Sequence, residues 1–374
     1  MKTLFIGHYK ENSGWSHSAI NTILSMSSVD LDVVCRNVAL TQYDNSNIDH
    51  RLIMLENKSL DNIDVCIQNV LPHHIVGTQK FKKNIAYFVG ESNTLKHNKW
   101  LNYLKLVDEV WVPNESLKNS LTKDGIKNVV KIPYAFDIDY YSNTNYQPIS
   151  FKDVNHTFKF YYIGEFNDRK NIESIIRCFH SEFNGAEQVS LVLKLKKFGI
   201  SSQELRSHVT NISNQIKNEL RIHKDLDSYK KEVIITESFT QDQIKSLHKS
   251  CDCFVSPSHG EGWSIPSFEA MCYGNTPICS NEGGPKEYID ESNKNTGTLI
   301  NGVYDICNHS DPAFPDLFTG KELWFHPSEK EIKDAMRFYY ENRNSTNKKD
   351  GLEYGKQFSY ENIGNMIKEK INDQ

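Results

Sequence analysis

Short apolar runs alternate with amphipathic segments along the first part of the chain. Runs of this length, bounded by turn residues and separated by helical patterns, predict the strands of a parallel sheet that is covered on both faces. The predicted strands are residues 2–7, 31–35, 64–68, 84–89, 110–112 and 129–133. A helix pattern that starts at Ser16 separates the first two strands. We therefore predict a Rossmann-like α/β domain over residues 1–150.

The same alternation restarts after a polar segment. Residues 142–157 lack apolar periodicity, which is typical of a linker. Beyond it the predicted strands are residues 158–163, 189–195, 233–235, 253–256 and 276–280. One amphipathic helix is predicted from apolar residues three and four positions apart, namely Leu205, Val209, Ile212, Ile216 and Leu220. These elements predict a second α/β domain over residues 151–357.

Composition and charge narrow the function without deciding it. The formal net charge of −5 is well mixed along the chain, so the sequence shows no basic footprint for nucleic acid. The eight cysteines form no C-x-x-C pair and no zinc spacing, which favours reduced thiols in a cytoplasmic protein. The N-terminus becomes charged too early for a signal peptide, and no run of about 18 apolar residues predicts a membrane span. We therefore expect a cytoplasmic location and no nucleic-acid partner.

The densest chemical signal lies in residues 256–287. Glu261 and Glu269 are eight positions apart, and the turn between them leads from a predicted strand into a predicted helix. The free N–H groups and the positive dipole end of that helix favour an anion above the loop. Carboxylates repel phosphate but accept hydrogen bonds from neutral hydroxyls. A phosphate beside hydroxyl-rich groups describes a sugar nucleotide.

This segment resembles the donor-site signature of family 4 of the retaining GT-B glycosyltransferases, in which two Glu residues flank a Gly-rich turn. The resemblance implies that Glu261 faces the donor sugar or its phosphates and that Glu269 binds the ribose hydroxyls. It also assigns donor binding to the turn between them, which consists of Gly262, Trp263, Ser264 and Ile265. Three of these residues depart mildly from the family's usual Phe, Gly and Leu. Two Glu residues at this spacing are common by chance, and the surrounding sequence makes the match specific.

The resemblance extends over nearly the whole chain and makes the fold specific. It implies a GT-B fold, in which two Rossmann-like α/β domains with parallel sheets face each other across a cleft. The first domain is then the acceptor side, and the second binds the nucleotide sugar. The last helix, from about residue 358 to residue 374, is expected to cross back to the first domain.

Charge that develops on a diphosphate leaving group needs cations or oriented N–H groups nearby. Family members place an Arg and a Lys after the first strand of the second domain, and the resemblance assigns these catalytic roles to Arg169 and Lys170. Glu165 stands where the family usually has the Arg. The alternative is that Arg169 and Lys170 are merely the exposed start of a helix. Lys194 is either a second cation for the donor or a solvated strand end, and Gly284 fits a close approach to the donor or an ordinary turn.

Candidates in the first domain are fewer. The resemblance implies that the donor phosphate approaches the backbone at Gly14, which could also be an ordinary turn glycine. Many family members carry a His near the sugar, whereas the matching position here is Asn69, with His73 and His74 in the loop beyond it. Glu91, after the next predicted strand, is a candidate catalytic residue that binds an acceptor hydroxyl or acts as a base.

The resemblance predicts a retaining, metal-independent glycosyltransferase. Its donor would be a nucleotide-diphosphate sugar, and its acceptor a hydroxyl of a glycan, a lipid-linked sugar or a protein-linked glycan. The resemblance implies no cofactor and no metal, because protein cations and N–H groups stabilise the diphosphate in that family. It also implies that the leaving phosphate takes the acceptor's proton. A peripheral contact with a membrane stays open. The alternatives are a catalytically inactive GT-B protein that binds sugar nucleotides, suggested by the missing loop Arg and the missing His, and a sugar-nucleotide epimerase or phosphorylase.

Overall fold

The computed structural model describes residues 1–11, 13–40, 49–143, 145–309, 317–345 and 347–373. The chain divides into two compact units. The first unit contains Met1–Tyr140, Ile306–Leu323 and Lys356–Gln374, and the second contains Tyr141–Asp305 and Trp324–Gly355. Compared with the expected domains, residues 141–150 group with the second unit and Ile306–Leu323 with the first.

Within the described residues, the first unit is built on a six-stranded sheet. Its strands are β1 (Lys2–Gly7), β2 (Asp32–Asn37), β3 (Val65–Asn69), β4 (Lys83–Tyr87), β5 (Glu109–Val112) and β6 (Val129–Lys131). They run parallel in the order β2-β1-β3-β4-β5-β6. The helices in this part of the chain are α1 (Gly14–Ser28), α2 (His50–Glu56), α3 (Trp100–Leu104), α4 (Glu115–Lys123) and α5 (Ile138–Ser142), with a short 3-10 helix at Pro72–His74. Phe5, Val33 and Trp111 are fully buried between sheet and helices, as expected for a parallel sheet covered on both faces.

The second unit repeats this architecture. Its sheet contains β7 (Phe158–Glu165), β8 (Val189–Lys196), β9 (Glu232–Ile235), β10 (Cys253–Ser256), β11 (Ile278–Ser280) and β12 (Thr298–Ile300), in the parallel order β12-β11-β10-β7-β8-β9. A separate two-stranded sheet pairs β13 (Gly302–Ile306) with β14 (Leu323–Pro327). The helices are α6 (Ile172–Glu182), α7 (Ser202–Leu220), α8 (Gln241–Ser250), α9 (Ile265–Cys272), α10 (Pro285–Tyr288), α11 (Glu329–Glu341) and α12 (Asp350–Gly355). Because β7 and β10 are neighbours and parallel, the loops after both strands meet at one edge of the sheet.

The last helix, α13 (Tyr360–Asn372), packs on α1 of the first unit. The Tyr360 hydroxyl donates to Asn21 Oδ1 at 2.7 Å, and Lys368 Nζ donates to the carbonyl of Val29 at 2.7 Å. The helices touch closely at Gly364, where an added Cβ would lie 2.2 Å from the carbonyl oxygen of Ser25. The return of the last helix to the first domain is thereby confirmed, as are the two parallel-sheet α/β domains.

A buried carboxylate fixes the edge strand β9 to helices α6 and α7. Glu232 Oε1 accepts a hydrogen bond from His180 Nε2 at 2.6 Å, and Glu232 Oε2 lies 2.9 Å from Lys217 Nζ. Ser213 Oγ donates to the same carboxylate at 2.7 Å. Burial alone would raise the pKa of Glu232, but the hydrogen bond from His180 and the charge of Lys217 lower this pKa to about 2.

All eight cysteines are buried free thiols. Burial raises the pKa of each thiol above its ordinary value. In the part of the chain that the structure covers, no helix is long and apolar enough to cross a bilayer.

Candidate active site

Glu261 lies in the loop that follows β10, at the carboxyl edge of the second sheet. Its carbonyl accepts a hydrogen bond from the N–H of Gly284 at 3.0 Å. An added Cβ at Gly283 would lie 2.1 Å from the carbonyl oxygen of Glu261, and one at Gly284 would lie 2.2 Å from Trp263 Cα. The two glycines are therefore needed because the Glu261 loop rests directly on their backbone.

Glu261 is held between two cations. Lys170 Nζ lies 2.6 Å from Glu261 Oε1, and Arg169 Nη1 lies 3.5 Å from Glu261 Oε2. Arg169 Nη1 also donates to the carbonyl of Gly260 at 2.6 Å. The structure thus brings together three residues that were predicted to act on the donor. We call Glu261, Arg169 and Lys170 the charge cluster.

A short 3-10 turn at Asp168–Lys170 positions the two cations. Asn167 caps this turn, since its side chain accepts a hydrogen bond from the N–H of Lys170 at 3.2 Å. Asn171 follows with φ 54° and donates from Nδ2 to the carbonyl of Pro257 at 3.0 Å, which ties the turn to the Glu261 loop. The side chains of Arg169 and Lys170 are only 13% and 15% exposed. They are therefore not the exposed start of a helix, and α6 itself begins two residues after Lys170.

The charge cluster keeps Glu261 ionised. Burial opposes the charged carboxylate and would raise its pKa, but the charges of Lys170 and Arg169 and a hydrogen bond from Ser258 outweigh burial. The pKa of Glu261 consequently lies below its ordinary value. With two cations and one carboxylate, the cluster carries one excess positive charge at neutral pH.

Glu269 lies on α9, which begins directly after the turn. Ser264, the residue before the helix, adopts the left-handed conformation with φ 65°, and its hydroxyl lies 2.6 Å from that of Ser267. The Glu269 side chain is 11% exposed. The Tyr141 hydroxyl donates to Glu269 Oε1 at 3.5 Å, and His248 Nε2 lies 3.6 Å from Glu269 Oε2. The carboxylate is therefore shielded from water but has only long contacts to these two neighbours.

The rest of the predicted turn is mostly packed into the protein. The Trp263 side chain is 2% exposed and contacts Tyr288 and Phe268, with ring centroids 5.5 and 6.2 Å apart. Gly262 is buried as well, while Ile265 is half-buried at the first position of α9. Packing of Trp263 fixes the loop that carries Glu261, and direct contact of these turn residues with a donor stays a prediction.

Lys194 is not a solvated strand end. It lies on β8, is 6% exposed, and places Nζ 5.2 Å from the centroid of the Phe239 ring. Burial lowers the pKa of Lys194 below its ordinary value. In the described parts of the chain, no ion pair joins Lys194 to the charge cluster, so its role as a second donor cation stays a prediction.

Gly14 and Glu91 belong to the first unit. Gly14 is the first residue of α1, and Ser13 caps this helix by accepting the N–H of Ser16 at 3.3 Å. Glu91 is half-buried in the segment after β4. Their participation in donor or acceptor binding stays a prediction.

The position that the family gives to His is a buried amide here. Asn69, the last residue of β3, donates from Nδ2 to the carbonyl of Tyr87 at 2.8 Å, and its Oδ1 has no hydrogen bond to any described residue. A histidine that the sequence analysis did not single out, His8, follows β1 directly. His8 accepts the N–H of Leu71 at Nε2, 3.2 Å away, and its ring lies 6.1 Å from the ring of His74. Its position immediately after the first predicted strand is the one sequence feature that could have marked His8 as a candidate site residue.

The described residues contain no group of three or more His, Cys, Asp or Glu side chains that could hold a metal ion. The expectation of a metal-independent reaction stays a prediction.

Comparison with known families finds a match for most of the second unit. Residues 148–306 match the family model of glycosyl transferases group 1. This segment is similar to a glycosyl transferases group 1 domain. It contains the charge cluster and Glu269, so the family resemblance inferred from these residues is confirmed. No curated protein matches the chain.

Solved structures extend the likeness from the group 1 domain to the whole fold. HepE from Anabaena in complex with UDP-glucose is 14% identical with a TM-score of 0.64, and the match covers 100% of both chains. The lipopolysaccharide outer core galactosyltransferase WaaB is 15% identical with a TM-score of 0.62, covering 99% of this chain and 100% of WaaB. Sucrose-phosphate synthase from Thermosynechococcus elongatus is 13% identical with a TM-score of 0.64, covering 99% and 98%. Together with the group 1 domain, these similarities show the GT-B fold.

Proposed function

We propose that this protein is a retaining, metal-independent glycosyltransferase that moves a sugar from a nucleotide-diphosphate sugar to a hydroxyl acceptor. The charge cluster carries the proposal. It places a guanidinium and an ammonium group beside a carboxylate at the carboxyl edge of the second sheet. That edge is where parallel α/β sheets bind nucleotides.

The two cations match the charge that a glycosyl transfer creates. When the bond between sugar and diphosphate breaks, negative charge grows on the leaving phosphate, and preorganised cations stabilise it most strongly in a water-poor site. Lys170 and Arg169 are largely buried and already oriented by the capped turn. Each charge-assisted hydrogen bond to phosphate contributes about 1.5–3 kcal/mol, which corresponds to roughly tenfold to a few hundredfold in rate.

Glu261 is suited to the sugar rather than to the phosphates. As an ionised carboxylate it accepts hydrogen bonds from neutral hydroxyls and favours the positive charge that develops on the sugar ring. A retaining course then follows if the acceptor attacks from the side of the leaving phosphate, which takes the acceptor's proton. HepE with bound UDP-glucose makes UDP-sugars the first donors to test.

The acceptor is proposed only as a class. A hydroxyl of a glycan, of a lipid-linked sugar or of a protein-linked glycan fits the reaction, and Glu91 is the first-unit residue proposed to bind it or act as its base. The proposed location is the cytoplasm, and a peripheral contact with a membrane would accompany a lipid-linked acceptor.

One observation favours a second candidate, a protein that binds sugar nucleotides without transferring the sugar. The buried amide of Asn69 stands at the position where the resemblance places a His, and an amide cannot act as a general acid or base at neutral pH. In this case the charge cluster would still bind the diphosphate. Donor binding without turnover in the presence of acceptors would be its signature.

The decisive experiment is a donor screen on the full chain with EDTA present. Thermal stabilisation by UDP-, GDP-, ADP- and TDP-sugars identifies the nucleotide, and release of the nucleoside diphosphate reports hydrolysis or transfer. Proton NMR of the first product reports whether the anomeric configuration is retained. Glu261→Gln should abolish turnover while the chain still folds, at a lower thermal stability because Arg169 and Lys170 lose their partner charge. The exposed control Glu291→Gln should change neither turnover nor stability. Native turnover in Glu261→Gln would overturn the proposal.

A further inference from the structure

His248 lies beneath Glu269 and belongs to a hydrogen-bonded chain that reaches away from the site. The residue is fully buried on α8, and its Nε2 atom lies 3.6 Å from Glu269 Oε2. Its other ring nitrogen, Nδ1, lies 2.7 Å from the Tyr161 hydroxyl. Which ring nitrogen of His248 carries the proton therefore depends on the direction in which the Tyr161 hydroxyl donates its own proton.

The contacts of Asn275 determine the direction in which the Tyr161 hydroxyl donates. Its Nδ2 atom lies 2.6 Å from the carbonyl oxygen of His248, and a carbonyl can only accept a hydrogen bond, so the amide must present its NH₂ group there. The same Nδ2 atom lies 2.7 Å from the Tyr161 hydroxyl oxygen and donates to it. The oxygen of Tyr161 is thus an acceptor for Asn275, and its proton is free for the remaining neighbour, His248.

The proton on Tyr161 in turn sets the proton on His248. If the Tyr161 hydroxyl donates to Nδ1, the histidine carries its own proton on Nε2, the atom that faces Glu269. A doubly protonated ring would also carry a proton on Nε2. The remaining tautomer would leave the buried Tyr161 hydroxyl without an acceptor and would turn a lone pair toward a carboxylate, which is unfavourable twice over.

We infer that His248 is a positioning residue that orients the Glu269 carboxylate for a vicinal diol. The inference rests on the proposed function and deepens it, because the diol it addresses is the ribose of the donor nucleotide. His248 Nε2 lies 3.6 Å from one carboxylate oxygen, and the Tyr141 hydroxyl lies 3.5 Å from the other. A carboxylate has about four acceptor sites, so two stay available for the two hydroxyls of a ribose.

The packing around the ring supports a positioning role. The His248 ring lies against Tyr273 with centroids 5.2 Å apart and against Phe254 with centroids 6.2 Å apart. Tyr161 adds an edge-on contact at 5.5 Å. These aromatic walls hold the ring in place, so that the N–H group on Nε2 keeps a fixed direction toward Glu269.

The test compares two ligands that differ only at the ribose. The full chain is titrated with the tightest-binding of UDP, GDP and ADP and with the 2′,3′-dideoxy form of the same nucleotide. The native chain should bind the ribose form at least tenfold more tightly. His248→Leu should reduce this ratio to below threefold with little change in the affinity for the dideoxy form. His248→Gln should keep most of the ratio, because a Gln amide can place an N–H close to the position of Nε2.

Two further variants complete the test. Tyr161→Phe, which removes the partner of Nδ1, should lower the ratio part of the way, while the exposed control His208→Leu should leave it unchanged. Equal losses for both ligands in His248→Leu would show a merely structural residue and overturn the inference. Equal ratios in His248→Gln and His248→Leu would also overturn the inference, and so would a native chain that binds both ligands equally. Neither result would contradict donor binding. A native chain that binds none of the three nucleotides would overturn the proposed function itself.

Discussion

Lys170 Nζ and Glu261 Oε1 lie 2.6 Å apart although their residues are 91 positions apart in the sequence. The contact forms because Lys170 follows β7 and Glu261 follows β10, and these strands are adjacent and parallel. Lys170 is held by the turn that Asn167 caps, and Glu261 is held by the glycine pair that its loop contacts. The ion pair therefore connects the loop after β7 to the loop after β10, in addition to its proposed role in the reaction.

Replacement of Lys170 should therefore change both rate and pH dependence. In Lys170→Met we expect turnover to fall roughly tenfold to a few hundredfold, since one cation of the diphosphate site is lost. Lys170 is also the strongest influence that lowers the pKa of Glu261, so this pKa should rise in the variant. Activity should then fall on the acid side of the pH–rate profile, where the native profile stays flat.

The control for this prediction is Lys224→Met, which removes an exposed lysine of the same unit. Its pH–rate profile should match that of the native chain. If Lys170→Met kept the native profile and the native turnover, the charge cluster would have no role in the reaction.

Gly284→Ala should misplace the loop that carries Glu261. The added methyl group would lie 2.2 Å from Trp263 Cα, so the backbone must shift, and we expect a loss of about 1–3 kcal/mol in the free energy of unfolding. Donor affinity should fall together with stability. Urea unfolding and nucleotide titration of the same sample measure the two effects.

Gly185→Ala is the matched control, because an added Cβ there meets no atom within 4 Å. It should be neutral or stabilise by about 0.4–1 kcal/mol through the unfolded state. A Gly284→Ala variant with native stability and native donor affinity would contradict the close contact between the two loops.

The buried Glu232 network should make the chain sensitive to acid. The pKa of Glu232 is about 2 in the folded chain against 4.5 ordinarily, so its stabilisation is complete above about pH 4.5 and is lost as the pH falls toward 2. This corresponds to ~3 kcal/mol. Burial also lowers the pKa of His180 below its ordinary value of 6.5. The unfolded chain therefore binds a proton at His180 more readily, and the free energy of unfolding falls further as the pH drops below 6.5. Urea unfolding between pH 7 and pH 3 measures the sum.

Glu232→Gln isolates the carboxylate. The variant should lose roughly 3–5 kcal/mol at neutral pH, since Lys217 is left buried without its partner charge, and its stability should depend less steeply on pH below 4.5. The exposed Glu219→Gln on α7 should behave like the native chain. Identical acid profiles for native protein and Glu232→Gln would assign the sensitivity to other groups.

Removal of metal ions should not affect transfer. The proposed reaction uses Arg169 and Lys170 to neutralise the diphosphate, so turnover in 5 mM EDTA, roughly a hundredfold above trace divalent ions, should equal turnover in untreated buffer. Restoration of a lost activity by Mg²⁺ or Mn²⁺ would show instead that a metal shares the charge of the leaving group.

The sequence predicted the fold well wherever apolar runs are bounded by turns. The strands around residues 158–163 and 253–256 were located to within two residues of β7 and β10. The pattern failed for β13, all of whose residues are exposed, because an exposed strand carries no apolar periodicity. It also missed α2, which buries only Leu52 and Leu55. The sequence around residues 40–62 and 303–322 shows no pattern that predicts an element, and part of each stretch lies outside the described residues.

The site was only partly predictable, for a physical reason. Glu261, Arg169 and Lys170 could be proposed because each lies in a short local segment that resembles a motif of the family. His248, Tyr161 and Asn275 could not, because each is an ordinary polar residue in a helix, a strand and a turn. Their connection arises only when the sheet brings the three elements together. Trp263 could be located, but not its orientation, which depends on Tyr288 and Phe268.

The eight buried thiols bear on how this protein can be studied. A thiolate is the reactive form of cysteine, and burial here raises the pKa of every thiol, so the native chain should react slowly with maleimides. A single cysteine introduced on the surface would then be the one fast-labelling position, without removal of any native residue. A fluorophore attached at that position would report motion of the folded chain. Labelling of the native cysteines would instead measure how fast the chain unfolds, because unfolding exposes their thiols.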